Sequence, residues 1–253
     1  MQFGDLAPHY DELMQVVPYD DWAEYVLTLF AYASHTPRRV LDCACGTGNL
    51  SFELARRGFE VAGVDLSTRM IEVAQEKLRT WPPTRETAPP RFVQGDLSNF
   101  DLKERFDSAT CLYDSLNYIL DPHKLQAAFG RIAHHVQPNG IFVFDMNSEY
   151  ALTADLFSQC NFNPRKQLHY DWRANFDPVA RVCSVNMRFE RHNGNGQTEV
   201  FTELHRERAY SRDEVKAMLA VTGWELLHEM DAYTLNRPHD RSERWYFVVR
   251  RRA

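Results

Sequence analysis

Short apolar runs alternate with helix-spaced apolar stripes from about residue 38 to 146, the pattern of βαβ units in a parallel sheet. Arg39-Val-Leu-Asp-Cys-Ala44 predicts a first strand, and Asn49–Arg57 a helix closed by Gly58, a residue suited to a left-handed helix end. Glu60–Asp65 predicts a second strand. Ser67 is placed to cap a helix over Thr68–Leu78, whose Met70, Ile71, Ala74 and Leu78 share one face. The proline-rich WPPTRETAPP predicts a loop, Arg91–Gln94 a third strand and Phe106–Leu112 a fourth. Asp121-Pro122 opens a helix to about Val136, and Gln137-Pro-Asn-Gly140 turns into a fifth strand, Ile141–Asp145.

The grammar then changes. Three β-rich segments lie between about Lys166 and Tyr210, separated by the turn signals Phe176-Asp177-Pro178 and Asn193-Gly-Asn-Gly196, as in antiparallel hairpins. Helix (Ser211–Val221) and two strands (Trp224–Glu229, Trp245–Arg250) follow. The N-terminal stretch, with Asp20-Asp21 before the periodic Trp22–Tyr32, predicts helices packed on the sheet. Together these predict an α/β fold: a Rossmann-like seven-stranded, mostly parallel sheet with helices on both faces, and an antiparallel β lid inserted after the fifth strand. The expected division is a helical cap over 1–36, a core over 37–150 and 211–253, and the lid over 151–210.

Composition narrows the setting. The 253 residues are 44% hydrophobic and 25% charged, ordinary for a globular protein, and no run approaches the roughly 20 apolar residues that span a bilayer. The N-terminus lacks a basic segment followed by an apolar one, so a cytoplasmic protein without membrane contact is expected. A net charge of −6 and a pI near 5.9 argue against broad nucleic-acid binding. The basic Arg250–Arg252 run is read as a solvated strand end. Five scattered cysteines do not make a disulfide framework.

Candidate chemistry begins at LDCACGTGNL, residues 41–50. A metal site at Cys43-Ala-Cys45 lacks a second donor pair, and both thiols are expected in the core with Leu41. Gly46-Thr-Gly48 lies between a strand and a helix, where bare backbone can approach a ligand and a helix N-terminus can face it. The phosphate loop of nucleotide hydrolases is excluded, because no Lys-Ser or Lys-Thr follows. A dinucleotide fingerprint lacks its third glycine, since Ser51 stands there. Asp42, Asp65 and Asp96 each end or follow a predicted strand on the carboxyl edge, where open α/β sheets bind ligands.

Val-Leu-Asp-Cys-Ala-Cys-Gly-Thr-Gly resembles the glycine-rich motif of class I S-adenosylmethionine-dependent methyltransferases, whose usual form has glycine where Ala44 stands. The resemblance continues through Asp65, through Gln94-Gly95-Asp96-Leu97 and through Phe106-Asp107 to Asp114, covering residues 36 to 150 and, more weakly, the C-terminal elements. It implies S-adenosyl-L-methionine as cofactor and S-adenosyl-L-homocysteine as product. The implied cofactor contacts are Asp42, Ala44, Gly46, Gly48, Asp65, Leu66, Met70, Gly95, Asp96, Leu97 and Leu112, with Ala44 near the methionine portion, Asp65 at the ribose hydroxyls and Asp96 at the adenine amine. A sulfonium, a ribose diol and an adenine amine call for such acceptors.

Leu112-Tyr-Asp-Ser-Leu-Asn-Tyr118 resembles the corresponding segment of small-molecule methyltransferases, including those acting on glycine or amino sugars, and lacks the Pro-Pro signature of enzymes methylating nucleobases or glutamine. A small-molecule acceptor, with an amine preferred, follows from that resemblance. Tyr113, Asp114, Tyr10 and His205 are the expected catalytic residues, with Tyr10 as a gate, and Asn117, Tyr118 and Glu203 the expected substrate contacts. Strand alternation puts Glu203 and His205 on one lid face and Arg206 and Arg208 on the other. His134 and His135 are expected on an exposed helix face. No nucleic-acid or membrane partner is expected, and the protein is a monomer or homodimer. Competing readings are methylation of RNA or protein, a nicotinamide-dependent oxidoreductase, and a cofactor-binding regulator.

Overall fold

The computed structural model describes residues 2–82, 88–163, 165–192 and 196–253. Part of the proline-rich loop and the tip of the Asn193–Gly196 turn lie outside them. The chain begins with a 3₁₀ turn at Ala7–His9, then α1 (Tyr10–Leu13) and α2 (Tyr19–Tyr32). The core alternates β1 (Arg39–Cys43), α3 (Asn49–Arg56), β2 (Glu60–Asp65), α4 (Thr68–Leu78), β3 (Arg91–Gln94) and β4 (Phe106–Cys111). After a 3₁₀ turn at Ser115–Tyr118 come α5 (Pro122–His135), β5 (Val136–Asn147) and α6 (Glu149–Thr153). The lid is β6 (Gln159–Asn161), β7 (Leu168–Asp177), β8 (Val182–His192) and β9 (Thr198–Arg208). The chain closes with α7 (Arg212–Val221), β10 (Trp224–Asp231) and β11 (Arg244–Arg251).

Seven strands form one sheet in the order β10-β11-β5-β4-β1-β2-β3, and the lid strands form a second in the order β6-β7-β8-β9. The five core strands pair in parallel, and β11 runs antiparallel between β5 and β10. The expected α/β architecture with its inserted antiparallel lid is the observed one. The lid has a fourth strand, β6, too short and polar for its period to show.

Strand alternation sorts the core. Leu41, Cys43, Phe142, Phe144, Phe247 and Val249 point to the face covered by α5 and α7, through Phe129, Ile132 and Leu219. Val40, Val61, Ile141, Val143 and Val248 point to the opposite face, under Val26 and Phe30 of α2 and Leu54 of α3. The cross-strand pair Phe144–Phe247 stacks at 4.8 Å, fixing β11 against β5.

Local signals account for most boundaries. Ser67 accepts the Met70 N–H and Asp121 that of His123, each as the N-cap of its helix, and Ser211 and Glu214 form a capping box. Two expectations are corrected. The Gln137–Gly140 segment belongs to β5, paired at Val136 with Phe106 and again from Ile141 with Ser108, so the turn residues form a bulge inside the strand. His135 is fully buried, whereas His134 is exposed. The His135 ring stacks on Phe100 at 4.3 Å, its Nε2 accepts the Leu102 N–H and its Nδ1 meets the Arg131 carbonyl. Burial lowers its pKa.

One amide joins core to lid. Asn117 is completely buried, donates to the carbonyls of Asn147 (3.1 Å) and Arg208 (3.0 Å), and accepts the Asn147 N–H at 3.0 Å. Asn117→Ala strands these backbone groups and is expected to cost about 3 kcal/mol in urea unfolding. A loss below about 0.5 kcal/mol, the level of an ordinary surface substitution, contradicts that role.

Candidate functional site

The glycine loop leaves the carboxyl end of β1 through three left-handed residues, Ala44 (φ 54°), Gly46 (φ 55°) and Gly48 (φ 82°). Gly48 is the N-cap of α3, and a Cβ there would lie 2.5 Å from the Phe92 ring, so strain and space both demand glycine. At Ala44 the family's glycine has a backbone reason, because a left-handed alanine is strained, besides the room its methyl occupies. Cys43 is buried beside Leu41 as expected. Cys45 lies past the strand and packs with the Phe52–Phe92 cluster on the other side, a correction to the alternation argument, which ends where the strand does.

Asp65, at the end of β2, accepts the Gly46 N–H through Oδ2 and the Ser67 N–H through Oδ1, both at 2.8 Å. A carboxylate has about four acceptor sites, so two remain for a pair of hydroxyls. Burial raises its pKa against the pull of these two N–H groups. Leu66 beside it is 64% exposed, an apolar surface for a flat ring, and Met70 is buried behind it. Asp96 spends Oδ1 on the N–H (2.8 Å) and hydroxyl (2.7 Å) of Ser98, which leaves Oδ2 for an amine donor. Gly95 donates its N–H to the Asp65 carbonyl at 2.9 Å and so ties the two acids together, while Leu97 and Leu112 are buried. A diol acceptor, an amine acceptor and an apolar platform along one sheet edge fit S-adenosylmethionine.

Asp42 is buried and accepts the hydroxyls of Ser51 (2.5 Å) and Thr110 (3.0 Å), so it holds the loop's base. Burial, with Asp65 adding to it and the two hydroxyls opposing, pushes its pKa up to about 6.

A second group of residues lies at the ends of β4, β5, β9 and β11. Tyr113 (φ 64°) and Asp114 (φ 53°) are consecutive left-handed residues, and Asp145 accepts both N–H groups, at 3.1 and 2.7 Å. Arg244 donates to Asp145 (3.0 Å) and Asp114 (2.6 Å), with its guanidinium 5.2 Å from the Tyr113 ring centre. Glu207, buried on β9, accepts from Asn147 at 2.7 Å. Its pKa is pushed well above the ordinary range, by burial first and then by the charges of Asp114 and Asp145. Burial likewise raises Asp114, against the pull of Arg244.

Along β9, Glu203, His205 and Glu207 are buried and Arg206 is exposed, so the acidic side of the strand faces inward. Tyr118 Oη lies 3.1 Å from His205 Nδ1, and His205 Nε2 lies 2.7 Å from Glu203. Glu203 also accepts the N–H groups of Phe3 (2.7 Å) and Leu6 (2.9 Å). Burial raises the Glu203 pKa, but these donors outweigh it and hold the group lowered. Phe3 covers this chain, 4.5 Å from the His205 ring and 5.4 Å from Tyr118.

The N-terminal segment continues over the glycine loop. Asp11 accepts from Thr47 (2.6 Å), Asn49 (3.0 Å) and Lys77 (2.8 Å), and Tyr10 packs against Phe3 in the lid cluster. The expected residues thus fall into two groups, one around Asp65 and one around His205, with Tyr113 and Asp114 held by Asp145 and Arg244 and Tyr10 packed against Phe3. Asp145, Arg244, Glu207, Asn147 and Asp11 went unread. Asp145 carried a signal, since it ends a predicted strand on the same edge as Asp42 and Asp65, and Glu207 falls in the alternation of Glu203 and His205.

A methyltransferase-domain family profile matches residues 40–140. A provisionally named methyltransferase of Geobacillus sp. (strain WCH70) is 32% identical over 253 residues, 99% of this chain and 100% of its own. The dTDP-3-amino-3,6-dideoxy-alpha-D-glucopyranose N,N-dimethyltransferase of Streptomyces fradiae is 31% identical over 144 residues, 56% of this chain and 53% of its own. The crystal structure of an S-adenosylmethionine-dependent methyltransferase from Clostridium acetobutylicum ATCC 824 superposes with a TM-score of 0.85 at 29% identity, covering 98% of each chain.

Asp42 generates a prediction. A carboxyl whose pKa is higher folded than unfolded contributes stability at low pH that is lost as pH rises from about 4 to about 6. Asp42→Asn removes that loss. The stability difference, variant minus wild type, should therefore grow between pH 4 and 7 by up to about 3 kcal/mol, at about 1.4 kcal/mol per pKa unit. A difference that stays flat with pH in denaturant titrations contradicts it.

Proposed function

This chain belongs to the S-adenosylmethionine-dependent methyltransferases, and we propose that it methylates the amine nitrogen of a small molecule. The observation that carries the reading is the hydrogen-bonded chain Tyr118–His205–Glu203 beside a buried group of three carboxyls, Asp114, Asp145 and Glu207, around a single guanidinium, Arg244. A region richer in carboxyls than in cations suits a positively charged ammonium group. The amino-sugar N,N-dimethyltransferase from Streptomyces fradiae, similar over 144 residues, supports the same acceptor class.

When bound, the cofactor supplies a methyl group on a sulfonium, open to in-line displacement. The acceptor nitrogen needs a free lone pair, so an ammonium must first lose a proton. With Nε2–H donated to Glu203, His205 Nδ1 accepts the Tyr118 hydroxyl, whose oxygen can in turn take a proton from the ammonium. Burial, with the Glu207 and Asp114 charges, raises the Tyr118 pKa, so the phenol passes a proton on without ionising ahead of the reaction. Glu203 orients the His205 ring through its Nε2–H. Tyr113 and Tyr10 wall the acceptor's entrance, Tyr10 as the gate, while Asn117, expected as a substrate contact but fully buried with its amide spent on backbone groups, positions the loop together with Asp114.

The test is methyl transfer to amino-sugar nucleotides, glycine and a catechol, with wild type, Tyr118→Phe and His205→Gln. We expect an amine to be methylated, with kcat falling about 100-fold in Tyr118→Phe while cofactor affinity changes by less than about threefold. Methylation of the catechol alone, or an unchanged kcat in both variants, overturns the reading.

A further inference from the structure

The lid sheet turns Tyr170, Trp172, Cys183, Val185 and Phe189 toward its inner cluster. The residues between them therefore occupy the outer face, which the methyl-transfer site does not use. There His169 on β7 stands directly opposite Glu190 on β8, and His192 follows two positions along β8 on the same side. One donor atom from each of the three lies within 4.8 Å of the other two. We propose that this triad is a binding site for a divalent cation of the zinc class, linking β7 to β8 on the outside of the lid.

The imidazoles carry the argument. His169 Nδ1 and His192 Nε2 face each other at 3.3 Å. Two nitrogens on one tetrahedral zinc, each about 2.0–2.1 Å from the metal, lie about 3.3–3.4 Å apart, so the rings are already spaced as ligands. The far nitrogens have the partners that metal-binding histidines use. His169 Nε2 lies 2.9 Å from the Asn163 carbonyl, which fixes its proton there and leaves Nδ1 a lone pair. His192 Nδ1 lies 3.0 Å from the Thr198 hydroxyl.

In the metal-free protein the His192 Nε2–H donates to His169 Nδ1. On binding, that proton transfers to Nδ1 by tautomerisation and is donated to Thr198 Oγ1, so both facing nitrogens become ligands with no net proton released. Glu190 supplies the third donor. It is paired with Arg188, whose side chain is half-exposed and can turn to solvent when the carboxylate is taken up by a cation. Two imidazoles in the set select zinc-class ions over calcium or magnesium, which take oxygen ligands.

The test titrates the metal-free 253-residue chain calorimetrically with zinc chloride, with magnesium chloride as control, alongside His169→Ala, His192→Ala and the double variant. Far-UV circular dichroism and S-adenosylmethionine binding check that each variant is folded. We expect one zinc per chain, no magnesium binding, at least about tenfold weaker zinc binding in each single variant, and loss of the saturable site in the double variant. Bound zinc should also raise the wild-type thermal midpoint and leave that of the double variant unmoved. Absence of saturable zinc binding overturns the proposal. So does zinc binding that persists unchanged in the double variant, which would place the ion at the free cysteines or elsewhere.

Discussion

The Asp145 carboxylate, accepting two consecutive N–H groups from Tyr113 and Asp114, is the contact on which the functional end of the fold depends. Both donors are non-glycine residues in the left-handed region, a conformation costing about 1–2 kcal/mol each. Two N–H bonds to a buried carboxylate are strong enough to offset that cost. A lone buried carboxylate would itself be unstable, so Arg244 on the neighbouring antiparallel strand holds both Asp145 and Asp114. The order β4-β5-β11 is what makes this possible, because it brings the ends of β4 and β5 beside the start of β11.

From that point the geometry propagates outward. The loop fixed by Asp145 runs into the turn carrying Asn117 and Tyr118, and Asn117 binds β5 and β9 together through their backbones. Tyr118 is thereby set against His205, and Asn147 at the end of β5 meets Glu207 on the same inward side of β9. The N-terminal segment closes the arrangement. Its backbone N–H groups bind Glu203 of the lid, while Asp11 binds the glycine loop, so one strap touches both the lid and the loop after β1.

Much of the cofactor side was legible in the sequence because it rests on local rules. Gly48 is demanded by a left-handed helix start, and Asp65 and Asp96 by their places after strands, features that neighbouring residues decide. The inward side of the lid was legible only in part. Glu203 and His205 could be paired by alternation, but which face turned inward depended on packing against a distant N-terminal segment. Arg244 lies 130 positions from Asp114, and no local pattern announces such a contact. His135 failed for a related reason, since a helix of mixed composition does not reveal that Phe100 and the Leu102 N–H cover one histidine and leave its neighbour exposed. Among the described residues no helix is long and apolar enough to cross a membrane.

The most direct test of the account is a calorimetric titration with S-adenosylmethionine of the wild type and of Asp65→Ala, both shown to be folded, with NAD as control. Asp65 is assigned the ribose hydroxyls on its two remaining acceptor sites. Saturable binding by the wild type, weakened at least about tenfold in the variant and equal to about 1.4 kcal/mol, is the predicted result. Equal affinity in both proteins, or binding of NAD in place of S-adenosylmethionine, would contradict it.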